Sequence, residues 1–125
     1  MSWQPPSESS EQKTLVKWAK MRSATIPELQ MLISIPNGGK RDPITGAILK
    51  QEGTARGFPD MFLFVPRHPW HGLAIELKRQ KGGRTSKYQK DWLDLLQTRG
   101  YRAFVAHGAW DAITIIEKYL SGDTA

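Results

Sequence analysis

Apolar residues recur along this chain with two different spacings. Recurrence every three or four positions marks one face of a helix, whereas short β-branched or aromatic runs bounded by turn residues mark strands. Leu15, Val16, Trp18 and Ala19 have helical spacing and predict a helix capped by Ser9 or Ser10 and running to about Met21. "MLISI", Met31–Ile35, predicts a strand that stops at the turn-rich "PNGGKR". "DPITGAILKQEG" predicts a short helix with Asp42 as N-cap, Pro43 at its first position and Gly53 as its stop. Strands are expected at Met61–Val65 and Leu73–Lys78, joined by "PRHPWHG". "TSKYQKDWLDLLQTRG" is the clearest helix, with Tyr88, Trp92, Leu95 and Leu96 as its stripe and Gly100 as its C-terminal cap. "YRAFVA" predicts a last strand, and "AWDAITIIEKYL" a last helix buried through Trp110, Ile113, Ile116 and Leu120. The order α-β-α-β-β-α-β-α predicts an α/β fold, one mixed sheet with helices on its faces. One domain over residues 1–125 is expected, with residues 1–8 as a loose arm.

The two hairpin strands are apolar on both faces, as central strands covered on each side should be. Yet Asp60 opens the first, and Glu76 and Lys78 sit in the second. Side chains two apart share a face, so Glu76 and Lys78 lie side by side, about 7 Å apart along the strand. In an antiparallel hairpin the start of one strand meets the end of the next, which brings Asp60 to the same place. Two close carboxylates repel, and one pKa must rise unless a cation intervenes. Lys78 supplies one positive charge; a divalent metal would supply the rest. Mg²⁺ keeps several waters, so one or two carboxylates suffice to hold it. A lone E-x-K triplet is more often a strand-end salt bridge; the "Gly-x-Pro-Asp" on the partner strand shifts the reading towards chemistry.

Composition narrows the classes. The chain has no cysteine, which excludes disulfides, thiol catalysis and zinc–thiolate sites. "MSWQPPSESSEQK" lacks the apolar core of a signal peptide, and no apolar run is long enough for a bilayer, so a cytoplasmic protein without membrane contact is expected. A net charge of +6 favours an anionic partner, most often nucleic acid.

Taken together, "IPNGGKR", "GFPD", "IELK" and "SKYQKDWLDLLQTRGY" resemble, in order and spacing, the virus-type replication-repair nuclease (VRR-NUC) family of PD-(D/E)xK nucleases. The likeness is to its small stand-alone phage and bacterial members. It implies a restriction-endonuclease-like core and Mg²⁺- or Mn²⁺-dependent cleavage of DNA phosphodiesters. It also implies branched DNA, such as a Holliday junction, as substrate. By the same resemblance Asp60, Glu76 and the backbone carbonyl of Leu77 would hold metal, and Lys78 would serve the attacking water. The family adds a glutamate from the first helix. The pattern of a glutamate four residues before a glutamine selects Glu8, before Gln12, with Glu11 as its rival. A site-facing glutamine of the family corresponds to Gln89, which "Ser86-Lys87-Tyr88-Gln89" reads equally well as part of a capping box. Asn37 is read first as a turn residue.

From Lys78 to Lys90 there are six basic residues and no acidic one. Arg79, Lys81, Arg84, Lys87 and Lys90, extended by Lys40, Arg41 and Arg56, are expected to contact DNA phosphates, which position a duplex without reading it. His68, His71 and His107 have no metal-ligand spacing, and Trp18, Trp92 and Trp110 read as core. A homodimer is expected, because a two-fold junction takes two matched cuts and one chain offers one site. Trp70 or Trp3 would supply its apolar contacts. The rival classes are a DNA-binding module without catalysis and a protein-interaction domain.

Overall fold

The computed structural model describes residues 3–36 and 43–122. Asn37, Lys40, Arg41 and Asp42 therefore lie outside the described residues. The elements are α1 (Glu8–Arg22), a 3₁₀ turn (Pro27–Met31), β1 (Leu32–Ser34), α2 (Pro43–Gln51), β2 (Met61–Leu63), β3 (Leu73–Lys78), α3 (Lys87–Thr98), β4 (Arg102–His107) and α4 (Ala109–Leu120). The sheet runs β1-β2-β3-β4, with two antiparallel pairings and a parallel β3–β4 pair bridged by α3.

Every residue of β2 and β3 is buried, as their two-sided apolar pattern requires. One sheet face carries Met61, Leu63, Leu73, Ile75 and Leu77 against Leu15 and Ala19 of α1 and Ile113, Ile116 and Tyr119 of α4. The other carries Phe62, Ala74 and Ala103 against Leu93 and Leu96 of α3. The sheet is thus sandwiched, with α1 and α4 on one side and α3 on the other.

Several boundaries differ from the expected ones. Ser7, not Ser9 or Ser10, caps α1, its Oγ accepting from the Ser10 backbone N–H at 3.1 Å. Pro5 and Pro6 cannot lie inside a helix, and Ser7 is the first hydroxyl after them, so Glu8 falls in the first turn rather than in an arm. β1 loses Met31 to the 3₁₀ turn and keeps three residues. The regular β1–β2 ladder ends at Leu63, with one further bond from the Phe64 N–H to the Met31 carbonyl at 3.1 Å, and Phe64 and Val65 fall outside the strand. In α3 the buried stripe is Leu93 and Leu96; Leu95 and Tyr88 are exposed. In α4 it is Ala109, Ala112, Ile113, Ile116 and Tyr119, while Trp110 is 72% exposed. The helix turns its alanines to the sheet and its tryptophan outward, because small side chains permit the closer approach.

Candidate active site

The register Met61↔Ile75 puts Asp60, one residue earlier, opposite the middle of β3. Its Oδ2 accepts from the backbone N–H of Leu77 at 2.9 Å. Asp60 is therefore clipped to the residue between Glu76 and Lys78. Upstream, Gly57 explains the glycine of "GFPD". Its φ is +82°, and a Cβ there would stand 2.7 Å from the Tyr88 backbone carbon and 2.9 Å from Gln89 N. Only glycine lets this loop lie against the first turn of α3, and Arg56 then stacks over the Tyr88 ring, 4.1 Å from its centroid.

That contact sets where Gln89 goes. Gln89, Leu93 and Leu96 lie at i, i+4 and i+7, so the glutamine continues the buried stripe towards the sheet. Its Nε2 donates to Glu76 Oε2 at 3.0 Å. Its Oε1 accepts from Lys78 Nζ at 3.0 Å and from the Ser86 backbone N–H at 2.8 Å. The capping box and the site-facing role, alternatives on sequence grounds, are filled by one side chain. Lys78 Nζ stands 3.5 Å from Glu76 Oε2, and both residues are buried.

Glu76 Oε2 is thus doubly supported, whereas its Oε1 is buried without a hydrogen-bond partner. Burial, and then the neighbouring Asp60 carboxylate, push the Glu76 carboxyl up to about 8, against the opposing pull of Lys78. Without a further cation the group holds its proton at neutral pH. A hard divalent ion beside Asp60 and Glu76 would take the place of that proton and of the missing partner at Oε1. The donor set fits such an ion, since Mg²⁺ needs only one or two carboxylates and keeps its waters. Among the described residues no group of three or more His, Cys, Asp or Glu side chains is placed to hold a metal.

A cleft of about 890 Å³ opens at this point, lined by Asp60, Glu76, Leu77 and Gln89 from the sheet side and by Glu8 and Gln12 from α1. Glu8 shares this space. Glu11 faces elsewhere: it is buried, its Oε1 accepting from Ala109 N at 3.1 Å and its Oε2 from Gln80 Nε2 at 2.9 Å. It caps the first turn of α4, where a carboxylate suits the unpaired N–H groups and the helix dipole.

The described members of the expected phosphate-contacting set, Arg56, Arg79, Lys81, Arg84, Lys87 and Lys90, do not line the cleft. Arg84, Lys87 and Lys90 are exposed, Lys81 sits 5.8 Å from the Trp3 ring centroid, and Arg79 is half-buried. The cations that do line the cleft are Lys13, Lys17 and Lys20 of α1, which sequence reasoning passed over. Their i, i+4, i+7 spacing was the available signal. Trp70 packs in its loop against the core beneath Arg102, His68, His71 and His107 are exposed, and Trp18 and Trp92 are half-buried.

A model of the VRR-NUC domain matches residues 6–110. A solved structure described as a VRR_NUC domain protein is similar over 94% of this chain and 91% of its own, at 26% identity and a TM-score of 0.80. No curated protein matches the chain.

Proposed function

We infer that this chain, which belongs to the VRR-NUC domain family and so carries a nuclease-type domain, is a metal-dependent endonuclease that hydrolyses DNA phosphodiesters. One observation carries the reading: Asp60 and Glu76 line a single cleft, with Lys78 Nζ 3.5 Å from Glu76 Oε2 and one buried Glu76 oxygen left without a partner. Asp60, Glu76, the Leu77 carbonyl and Glu8 are the groups that would hold Mg²⁺ or Mn²⁺. Such an ion polarises a phosphoryl oxygen and makes a bound water acidic enough to attack.

The chain's own residues contribute orientation and charge. Asp60 is fixed by the Leu77 N–H and Glu76 by Gln89, so neither carboxylate has to be ordered when DNA arrives. Lys78 has three N–H donors and gives one to Gln89. Another faces Glu76 Oε2 at 3.5 Å, which leaves the third to orient a water or to stabilise the negative charge that builds on phosphate. A branched DNA is the substrate that the family membership favours. On that reading the chain acts as a homodimer, because one chain carries one Asp60–Glu76 pair and a four-way junction needs two matched cuts.

The test is a panel of labelled junction, flap and linear DNAs incubated with Mg²⁺ or Mn²⁺. Wild type should cut at least one of them, and Asp60→Ala should bind the same DNA without cutting it. Binding without cleavage by wild type in either metal would replace this reading with that of a catalytically silent DNA-binding module. Cleavage surviving in Asp60→Ala would refute the site.

A further inference from the structure

The groups proposed to hold metal come from two separate parts of the fold. Asp60, Glu76 and the Leu77 carbonyl belong to the sheet, and the bond from Leu77 N to Asp60 Oδ2 locks them together. Glu8 belongs to α1, which no strand ladder fixes. The apolar anchors of α1 are Leu15 and Ala19, both buried, and the nearer lies seven residues past Glu8. At about 1.5 Å per residue that is a lever of about 10 Å, over which a tilt of about 5° moves Glu8 by about 1 Å. Ligands stand within about 0.2 Å of their ideal distances from a metal. Apolar packing at Leu15 is therefore too coarse to place Glu8.

Two polar tethers hold the turn that follows Glu8, from the i+3 and i+4 positions that neighbour it on the helix surface. Glu11 runs to Ala109 N and to Gln80, which docks α1 on α4. Gln12 runs to the sheet. Its Nε2 donates to Ser34 Oγ at 3.0 Å. Ser34 closes β1 opposite Met61, and the next backbone N–H, that of Ile35, donates to the Asp60 carbonyl at 2.7 Å. One side-chain bond thus joins the helix of Glu8 to the chain segment paired with the backbone of Asp60. Gln12, Ser34 and Ile35 line the same cleft as Glu8 and Asp60. Ser34 is exposed, and a neutral hydrogen bond open to water adds little to stability. What distinguishes this bond is its place between the two carboxylates.

We propose that Gln12 is a positioning residue: through Ser34 it sets where Glu8 stands relative to Asp60, and so the geometry of the metal site. This rests on the metal-dependent reading, with Glu8 as a ligand. In this role Gln12 acts through Glu8 and not by a contact of its own with the ion.

The experiment is Mn²⁺ titration calorimetry on the whole chain without DNA, so that cleavage plays no part. Gln12→Met keeps the side chain's length and removes its amide, and Ser34→Ala removes the acceptor. Each should weaken Mn²⁺ binding about tenfold, the lower end of what losing an outer-shell partner costs, with a melting temperature in chelator close to that of wild type. Ser34→Thr keeps the hydroxyl and should bind Mn²⁺ as wild type does. In a Glu8→Gln background Gln12→Met should have no further effect, because a residue that acts through Glu8 then has nothing to place. Wild-type affinity in Gln12→Met or in Ser34→Ala overturns the inference, as does a loss that adds in full to that of Glu8→Gln. Those outcomes leave the metal site standing. A wild type that binds no Mn²⁺, or a Glu8→Gln protein that binds it as tightly as wild type, overturns the reading of Glu8 as a ligand and the inference with it.

Discussion

Replacing Glu76 with glutamine keeps the side chain's shape and removes its titration. The carboxyl, ordinarily at 4.5, is held at about 8 in the folded protein, chiefly by burial and secondarily by Asp60. Between those two values the folded chain keeps a proton that the unfolded chain has lost. Folding in that window takes up a proton, so stability falls as pH rises through it. The penalty is absent below about 4.5 and complete above about 8. At about 1.4 kcal/mol per pH unit, the interval from 4.5 to about 8 amounts to about 5 kcal/mol. That matches the lower end of the whole stability of a typical domain, about 5–15 kcal/mol. The metal-free Glu76→Gln protein should therefore gain on wild type by about 4 kcal/mol between pH 5 and pH 9, the part of that interval that lies above pH 5. Urea unfolding in chelator at pH 5, 7 and 9 measures this as a shift in midpoint at constant slope. Added Mg²⁺ or Mn²⁺ should stabilise wild type at pH 8, by about 1.4 kcal/mol at ten times its dissociation constant. The glutamine variant should respond far less. Parallel stability–pH curves for the two proteins would refute the reasoning.

Three further substitutions separate parts of the site. Glu8→Gln should slow cleavage roughly 10²-fold, the scale of one lost electrostatic contact, with little change in melting temperature. Glu11→Ala should instead lower stability by about 1–3 kcal/mol, because Ala109 N and Gln80 lose their acceptor; the reverse pattern in melting and rate assays would exchange their roles. Gly57→Ala should reduce cleavage along with stability, since its Cβ meets the first turn of α3 at 2.7 Å and displaces Gln89. An alanine variant with wild-type rate would show that Gln89 does not need that contact.

Much of the architecture was legible because it depends on local pattern. The two-sided apolar runs of β2 and β3 could only be central strands, and Ser86 with Gln89 could cap α3 in only one way. The meeting of Asp60 with Glu76 and Lys78 followed from antiparallel pairing alone. What failed depended on tertiary approach. Tyr88 and Trp110 have the right period for a buried stripe, but a helix packs on its small residues as readily as on its large ones, and spacing does not say which of two adjacent stripes turns inward. Glu8 and Glu11 are one helical turn apart, and each is plausible in a first turn. Only the docking of α1 against α4 sends one to the cleft and the other to Ala109 N. The lysines of α1 were overlooked because a helix flank rich in lysine is usually solvated. They acquire meaning from lining the same cleft as Asp60 and Glu76.

The arrangement around Glu76 is hard to reconcile with a purely structural role. A buried ion pair is a poor stabiliser, because desolvating two charges cancels most of their attraction, and well-packed apolar residues usually serve as well or better. A sheet centre made of Met61, Leu63, Ile75 and Leu77 has no need of Glu76 and Lys78 for cohesion. If the pair existed only to hold the fold, both carboxylate oxygens should be paired, since an unpaired buried oxygen costs about 1–3 kcal/mol. Instead Gln89 and Lys78 attend to Oε2 alone, Oε1 is left without a partner, and Asp60 stands close enough to raise the pKa. The unpaired Oε1 and the nearby Asp60 carboxylate both disfavour the charged, empty site, and a single divalent cation would relieve both at once.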